Sequence, residues 1–587
     1  MNMNRNIKRE NLFWFVSLLA LIVGMNIIFS FFFARLDLTA EKRYTLSNST
    51  KTMLKNLEDI IYVKIYLSGK KLPPDYAELS QKLRELLDEM RVYSDNIEYE
   101  FIDPAQGRDP SEMNAIYGEL NRKGLRPQAI QSMGADGVIT NFIVPGALVS
   151  YRQREIPLQL MDSDDGLIQQ RDNIIKYSIE KLEYNLGNTI RRLTHQQLAS
   201  VAFLKGHGEL TNIQVLKAAV AIAQFYAVDS VILGDKITSI FELEITDSIT
   251  GQYKITGNKY DLLIIAKPTQ AFGNYEKYIL DQFVMRGGRL LWYIDPVLAE
   301  MDSLQHYSEM PILNRELNLE DLFFRYGVRI NTNLLQDLNA LQIPVSAGQM
   351  GGQTQYKYIP WYYFPIITPY VDHPVVKNLN LLRTEFISSI DTVGSGTNLQ
   401  KTVLLTTSKN TKVVNAPAIV SLETLRKRAN ILEYNKQHLP VCILVEGEFK
   451  SLFSDNMAGA QLQELAPIAK SKKTKMIFVA DGDMIKNQLG MDNMGNIFPY
   501  PLGADRYSGM AFGNKNFLLN AVNYLCDDEE ILQVRSKDFK MRLLDSNRIL
   551  KKKTYWQTIN LLTPLLLIIV LGISLFSVRK IKYAKIK

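Results

Sequence analysis

Two long charge-free apolar runs, one near each end, constrain this chain more than anything else in it. The first, Leu12 to Phe33 (LFWFVSLLALIVGMNIIFSFFF), is long enough to cross a hydrocarbon layer of roughly 30 Å. A cleavable signal peptide is the alternative. Such a segment has a shorter apolar core and ends in small residues, whereas Phe31, Phe32 and Phe33 close this one. It reads as a retained anchor. The second run, Trp556 to Val578, carries Pro564 near its start, where a membrane helix absorbs it, and has Tyr555 and Trp556 where interfacial aromatics sit. A buried core helix is the competing reading, and the length and the basic tail beyond it favour a span.

Charge orients the two runs. Arg5, Lys8 and Arg9 against Glu10 leave the first ten residues at +2, and Arg579, Lys580, Lys582, Lys585 and Lys587 put the last stretch at +5; together they equal the formal net charge of +7. The middle is therefore close to neutral. The positive-inside bias predicts both tails in the cytoplasm and the middle outside it. Arg548 and Lys551 to Lys553, on the outer side of the second helix, dissent, but long domains translocate largely regardless of charge. A near-neutral middle removes the electrostatic case for a nucleic-acid partner.

At 587 residues, 46% of them hydrophobic and 22% charged, the chain is ordinary globular material too long for one core. After the polar segment Arg35 to Thr50, with a helix start near Ser47, Ile60 to Leu67 (IIYVKIYL) reads as a strand. Leu79, Leu83, Leu86, Leu87 and Met90 line one helix face, and Ile97 to Ile102 returns as a strand. Strand-like stretches at Val138 to Val144 and Ala147 to Leu160 complete a small α/β domain whose order of elements resembles a thioredoxin-like layer. It has no CxxC, so redox chemistry is not expected. A linking helix with Ile175, Ile179, Leu182, Leu186 and Ile190 on one stripe leads into a second α/β region.

In that region strands at Val201 to Leu204, Tyr260 to Ala266 and Arg289 to Ile294 alternate with helical stretches at Asn212 to Tyr226 and Tyr275 to Met285. The rhythm means a parallel sheet with covering helices. The pattern resumes at Val441 to Val445, Met476 to Ala480 and a helix from Asn516 to Leu525. The intervening Gln349 to Gln355 and Pro360 to Pro369 read as inserted loops. The organisation expected is a tail at 1–11, a transmembrane helix at 12–34, and a first domain with its linking helix at 35–190. A second domain follows at 191–545, then a juxtamembrane segment at 546–555, a transmembrane helix at 556–578 and a basic tail at 579–587.

Candidate chemistry is sparse. No GxxxxGK[ST] sequence occurs, so no P-loop cradles a nucleotide, and any ATP hydrolysis belongs to a partner. In the turn Gly206-His207-Gly208-Glu209 a base and its orienter could stand beyond a strand end, but no nucleophile sits at a strand-to-helix elbow. The bland reading is a glycine-permitted turn with His207 packed locally. Asp481 and Asp483 could meet a hard cation, yet no further ligand spacing follows, and turn and cap duty competes. Asp295, before Pro296, reads as a strand terminator. His195, His306, His373 and His438 form no ligand pattern. Cys442 and Cys526 have no metal or CxxC spacing and read as buried free thiols, with a disulfide between them as the alternative.

Several stretches taken together resemble one known family. RLDLTAEKRYTLS, FLKGHGEL, YDLLIIAKPTQ, LDQFVMRGGRLLWYIDP, VEGEFKSLF, VADGDMIKNQ, PLGADRYSGMAFGNKNFLLNAVNYL and VRSKDFKMRLLD are similar, in this order, to the GldG family of gliding-motility-associated ABC-transporter auxiliary components. The likeness runs from Arg35 to the final helix. It implies an extracytoplasmic region working with a separate permease subunit and a separate ATP-binding subunit, in surface gliding and the associated protein secretion of Bacteroidetes-type bacteria. It also implies a class I glutamine-amidotransferase-like fold for the second domain, as in an intraflagellar-transport protein. The cysteine and His/Glu partners of such an enzyme are absent, since Cys442 lies mid-strand.

The expectation is thus an α/β protein: terminal transmembrane helices flanking a small thioredoxin-like domain and a larger amidotransferase-like one. Its expected role is that of a non-enzymatic accessory subunit without metal or cofactor. Its expected partners are the permease, the ATP-binding subunit, the membrane and a second copy of the chain within the complex. His207, Glu209, Asp295, Asp481 and Asp483 are the candidate partner or ligand site. An extracytoplasmic hydrolase-like enzyme and a structural envelope tether are the alternatives.

Overall fold

The computed structural model describes residues 13–25, 45–526 and 546–584, apart from 70–71, 107–108, 135–136, 162–170, 195–198, 235–238, 248–251, 351–352, 370, 378, 395–398, 427–428, 455–466 and 493. Both charged tails lie wholly or partly outside the described residues, as do most of the polar segment from Arg35, the stretch VRSKDFKMRLLD and His195. The chain divides into two units, 1–537 and 538–587.

The first unit begins with α1 (Phe13–Met25), the described part of the first apolar run. Ser47 then caps α2 (Asn48–Lys55), its Oγ accepting from Thr50 N–H at 3.1 Å. In the first domain β1 (Ile61–Ile65), α3 (Pro74–Tyr93) and β2 (Ile97–Phe101) form the expected β-α-β unit. With β3 (Gly146–Tyr151) and β4 (Arg154–Gln159) they make a sheet of order β2-β1-β3-β4, parallel between β1 and β2 and antiparallel elsewhere. Tyr76, Leu79, Leu83, Leu87 and Met90 of α3 are buried against Ile61, Val63 and Ile65 of β1. The single strand expected over Ala147 to Leu160 is a tight hairpin, turning at Arg152 in the left-handed region. The linking helix is two: Arg171–Glu180 and α4 (Leu182–Thr194), whose Leu182, Leu186, Ile190 and Leu193 join the same core. Glu183 of α4 accepts from Ser47 N–H at 2.7 Å and from Thr50 Oγ1 at 3.0 Å, tying the entry and exit of the domain together.

The second domain is built on a seven-stranded sheet. Its strands are β5 (Ser200–Lys205), β6 (Ala227–Ile232), β7 (Leu262–Ala266), β8 (Arg289–Tyr293), β9 (Gln400–Thr406), β10 (Pro440–Lys450) and β11 (Lys470–Val479), in the order β9-β10-β11-β8-β7-β5-β6. Five strands, β6, β5, β7, β8 and β11, are parallel; at one edge β10 pairs antiparallel with β11 and β9 antiparallel with β10, so the sheet is mixed rather than purely parallel. Alternate residues feed two cores. Leu262, Ile264 and Ala266 of β7 face α5 (Leu216–Ala223) and α7 (Asn514–Cys526), while Leu263 and Ile265 face α6 (Asn274–Met285). Burial on both faces is why β7 reads as an unbroken apolar run.

One expectation fails here. The segments read as loops form a long antiparallel hairpin, Ala340–Met350 paired with Gln353–Ile367. Its prolines and glycine suggested breaks, but irregularities at Ala340/Gln342 and Ser346/Gly348 accommodate them. The aromatics of PWYYF provide the burial that holds it, because Trp361, Tyr363 and Phe364 form a further core with Leu304, Ile312, Phe386 and Val420.

The second unit contains α8 (Ser546–Ala584). Within it Gln557–Ile581 is the one helix among the described residues long and apolar enough to cross a membrane by length and composition; α1 is apolar but shorter.

Candidate functional site

The order of the five parallel strands reverses direction between β5 and β7, and in open α/β sheets the crevice beyond the carboxyl ends at such a point is where ligands bind. All five candidate residues fall at those ends. His207 and Glu209 follow β5, Asp295 follows β8, and Asp481 and Asp483 follow β11.

The carboxylates converge on a lysine that sequence reasoning did not single out. Lys267, the first residue past β7, points its Nζ to Asp483 Oδ2 at 2.6 Å and Asp295 Oδ2 at 3.0 Å, and all three side chains are buried. Its backbone is left-handed at φ 54°, held by a hydrogen bond from its N–H to Tyr293 O at 2.8 Å. The stem crosses Gly482, where an added Cβ would lie 2.6 Å from Lys267 Cγ; only glycine allows that approach. Asp295 Oδ1 accepts from Gly482 N–H. Asp481 caps the short helical turn Gly482–Ile485, accepting from Asp483 N–H at 2.7 Å and Glu385 N–H at 2.9 Å.

Electrostatics separate the three acids. Burial and the neighbouring Asp295 and Asp483 charges push Asp481 well above the usual carboxylate range. Burial also raises Asp295, with Lys267 pulling against it. At Asp483 burial pushes up but Lys267 and Lys486 prevail, bringing it down to about 2. Lys267 is desolvated, yet its two carboxylates hold it well above the ordinary lysine value.

His207 occupies a separate pocket. Its ring stacks on Phe272 with centroids 3.7 Å apart, and Nδ1 and Nε2 lie 3.5 Å from Glu209 Oε1 and 3.0 Å from Glu276 Oε2. Neither contact has hydrogen-bond directionality. Burial disfavours the imidazolium, and the two carboxylates more than offset that, so its pKa is raised. Glu209 Oε2 accepts from His207 N–H at 2.8 Å, and the carbonyl of His207 accepts from Thr269 and Gln270 N–H. Glu276, absent from the candidates, also accepts from Gly273 N–H at 2.7 Å at the start of α6.

A cleft of about 1110 Å³ opens beside the lysine network. Lys267 and Asp483 border it; His207, Glu209, Asp295 and Asp481 do not. Its other charged lining includes Arg383, Glu385, Lys486 and Asp505, none marked by a motif. Only the strand-order rule, which directs attention to any charge directly after a buried strand such as LLIIA-Lys267, could have found Lys267. The remaining histidines stand apart: His373 packs edge-on against Tyr524 at 4.9 Å, and His438 adopts φ 50°. No disulfide joins the two cysteines; Cys442 is buried and Cys526 half-buried. Among the described residues no group of three or more His, Cys, Asp or Glu side chains could hold a metal ion.

Comparison with known proteins adds the following. Residues 40–150 match a domain of unknown function (DUF7088). An uncharacterized protein of Borreliella burgdorferi is 21% identical over 583 residues, spanning 95% of this chain and 97% of that one. Among solved structures, the mmIFT52 N-terminal domain aligns at 10% identity over 56% of this chain and 97% of its own, with a TM-score of 0.29. The exo-beta-1,4-mannosidase Op5Man5 from an Opitutaceae bacterium aligns at 10% identity over 70% of this chain and 46% of its own, with a TM-score of 0.17. Residues 199–521, the strands, helices and cleft just described, match the family model for the ABC-type uncharacterized transport system. With more than half of its length matched, the chain belongs to that family of transport-system auxiliary proteins and is an ABC-transporter accessory component.

Proposed function

We propose that this protein is a non-enzymatic accessory subunit of a GldG-like ABC transporter. On this reading it works with separate permease and ATP-binding subunits in gliding motility and the protein secretion associated with it. Two helices, α8 and the apolar run containing α1, anchor it in the inner membrane with both termini cytoplasmic and the α/β domains periplasmic. The sheet order β2-β1-β3-β4 supports a thioredoxin-like first domain, and the doubly wound second domain supports an amidotransferase-like scaffold put to binding use.

The observation that carries the non-catalytic part is how the polar residues at the sheet's carboxyl ends are engaged. Both Asp481 oxygens accept backbone N–H groups, and Asp295 and Asp483 hold Lys267. A hydrolase needs its base and its acid side by side at the reacting atom. Here His207 is enclosed with Phe272, Glu209 and Glu276, while Asp483 borders the cleft.

Affinity purification of the full chain from native membranes in mild detergent tests the proposal. The expected result is a permease and an ATPase retained together at fixed ratio. Recovery of the chain without either, under conditions that preserve other ABC complexes, overturns it. A reporter active only in the cytoplasm, inserted after Thr45, is expected to be silent; activity there overturns the topology.

A further inference from the structure

The sheet of the first domain has two edges, β4 and β2, and they are finished differently. On β4, Leu160 N–H donates to Pro145 O at 3.0 Å, so Pro157 and Gln159 turn their backbone outward. Pro157 has no N–H to offer there, and the Gln159 side chain reaches Gly124 O at 2.6 Å.

β2 has neither device. Its sequence, IEYEF, contains no proline, and it pairs with β1 in unbroken register from Ile97 to Phe101. Ile61 N–H donates to Asn96 O and Ile102 N–H to Ile65 O, both at 2.8 Å, so the even-numbered residues turn their backbone groups toward β1. Ile97, Tyr99 and Phe101 turn theirs outward. Among the described residues nothing meets those three N–H and three C=O groups, since β1 and α3 are the strand's neighbours. An open edge of this kind is a template for one more strand.

The side chains along the edge select which strand fits. On one face Glu98 and Glu100 are exposed. Tyr62 Oη donates to Glu100 Oε2 at 2.6 Å, and among the described residues neither carboxylate has an ion-pair partner. On the other face Tyr99 and Phe101 stand half-buried beside α3, ring centroids 5.8 Å apart. The guanidinium of Arg91 lies 5.4 Å from the Tyr99 ring centre and that of Arg84 4.0 Å from the Phe101 ring centre, and Tyr99 Oη donates to Asp88 at 2.5 Å. These contacts hold the two rings as an apolar ledge.

A second copy of the chain fits this edge badly. Two β2 strands paired antiparallel about Tyr99 would set Glu98 of each against Glu100 of the other, and like charges directly opposite destabilise a sheet. A strand that alternates Lys or Arg with apolar residues is the complement. Its cations lie beside the two glutamates, and its apolar side chains extend the ledge of Tyr99 and Phe101.

We propose that the edge of β2 takes up a β-strand of a partner protein, an extended segment of about five residues in which Lys or Arg alternates with apolar side chains. This goes beyond the accessory-subunit reading, which names partners but no surface, and does not depend on it.

The test uses the full chain in uncharged maltoside micelles and the end-blocked heptapeptide Lys-Val-Lys-Val-Lys-Val-Lys. Controls are Glu-Val-Glu-Val-Glu-Val-Glu and the scrambled Lys-Lys-Lys-Lys-Val-Val-Val. Affinity is read by fluorescence anisotropy of labelled peptide, and the place of binding by amide hydrogen exchange. The alternating basic peptide is expected to bind at least about tenfold more tightly than either control and to slow exchange at Tyr99 and Phe101. Glu98→Lys combined with Glu100→Lys is expected to reverse the preference between basic and acidic peptides; both side chains are exposed, so the fold is kept. Equal affinity for the three peptides, no binding of any, or binding without protection at Tyr99 and Phe101 overturns the proposal. Slow exchange at those amides in the chain alone overturns it as well. Protection that rises with chain concentration would assign the edge to a second copy, and protection that does not would assign it to another segment of the same chain.

Discussion

Lys267 Nζ lies 2.6 Å from Asp483 Oδ2, both side chains buried at the border of the cleft, joining residues 216 positions apart beyond the ends of two strands of one sheet. The ammonium also serves Asp295, so its removal leaves Asp295 without a cation and Asp483 with Lys486 alone. Replacing Lys267 by methionine keeps the stem across Gly482 but deletes the charge. Breaking a buried pair from one side costs about 3–5 kcal/mol. The expected outcome is a matching loss for the second-domain unfolding transition of the full chain in urea, with α3 of the first domain unaffected by hydrogen exchange. A loss below about 1 kcal/mol would mean the network contributes little.

The same pair sets an acid limb. Asp483 titrates at about 2 in the fold against roughly 3.9 when unfolded, so the stability it contributes is complete above pH 4 and is lost as pH falls toward 2. In Lys267→Met the depression has lost its largest favourable source, and the slope of stability between pH 4 and pH 2 should flatten. An unchanged slope would assign that limb to other carboxylates.

How much of this was legible in the sequence differs by region. The first domain was readable because Leu79, Leu83, Leu87 and Met90 keep a helical period beside two strands rich in β-branched and aromatic residues. The doubly wound sheet was readable because β7 and β8 must be apolar on both faces. The hairpin 340–367 was not, since its strand character comes from tertiary burial of Trp361, Tyr363 and Phe364 against distant segments. The candidate acids were all found at the sheet's carboxyl ends, but their partner Lys267 depends on contacts between remote segments. No spacing rule carries such contacts.

Cysteine reactivity gives a separate check on the core. Cys442 lies near the start of β10 with its thiol entirely buried, and burial pushes its pKa far up, whereas Cys526 at the end of α7 is half-buried. A maleimide reagent at pH 7.5 should modify at most one thiol in the native chain and two after denaturation without reductant. Fewer than two after denaturation would indicate a bond between them.

Gly208 tests the turn that carries His207. Its φ is +68°, and an added Cβ would stand 2.1 Å from Thr269 Oγ1, in a turn whose neighbouring carbonyl accepts from Thr269 and Gln270. Gly208→Ala therefore meets both backbone strain and a clash, and should destabilise the second domain by about 1–3 kcal/mol. Gly234→Ala, where a Cβ meets open space, is the control expected to stay near wild type. Equal melting of the two variants would show that the turn relaxes without cost.

His207 itself supplies a pH dependence of opposite sign to that of Asp483. Burial lowers its proton affinity and Glu209 and Glu276 raise it further than burial lowers it, so the folded value sits above the unfolded one near 6.5. A raised value means the folded state holds the proton more tightly. The stability gained is complete below pH 6.5 and disappears as pH climbs through the folded value. His207→Gln keeps a polar side chain between the two carboxylates without the titrating charge. Wild type should lose more stability than this variant between pH 6 and pH 9, measured by urea midpoint at fixed ionic strength. A parallel decline in the two proteins would mean that His207 does not carry its proton in the folded state, and that the two glutamates are held by their backbone bonds alone.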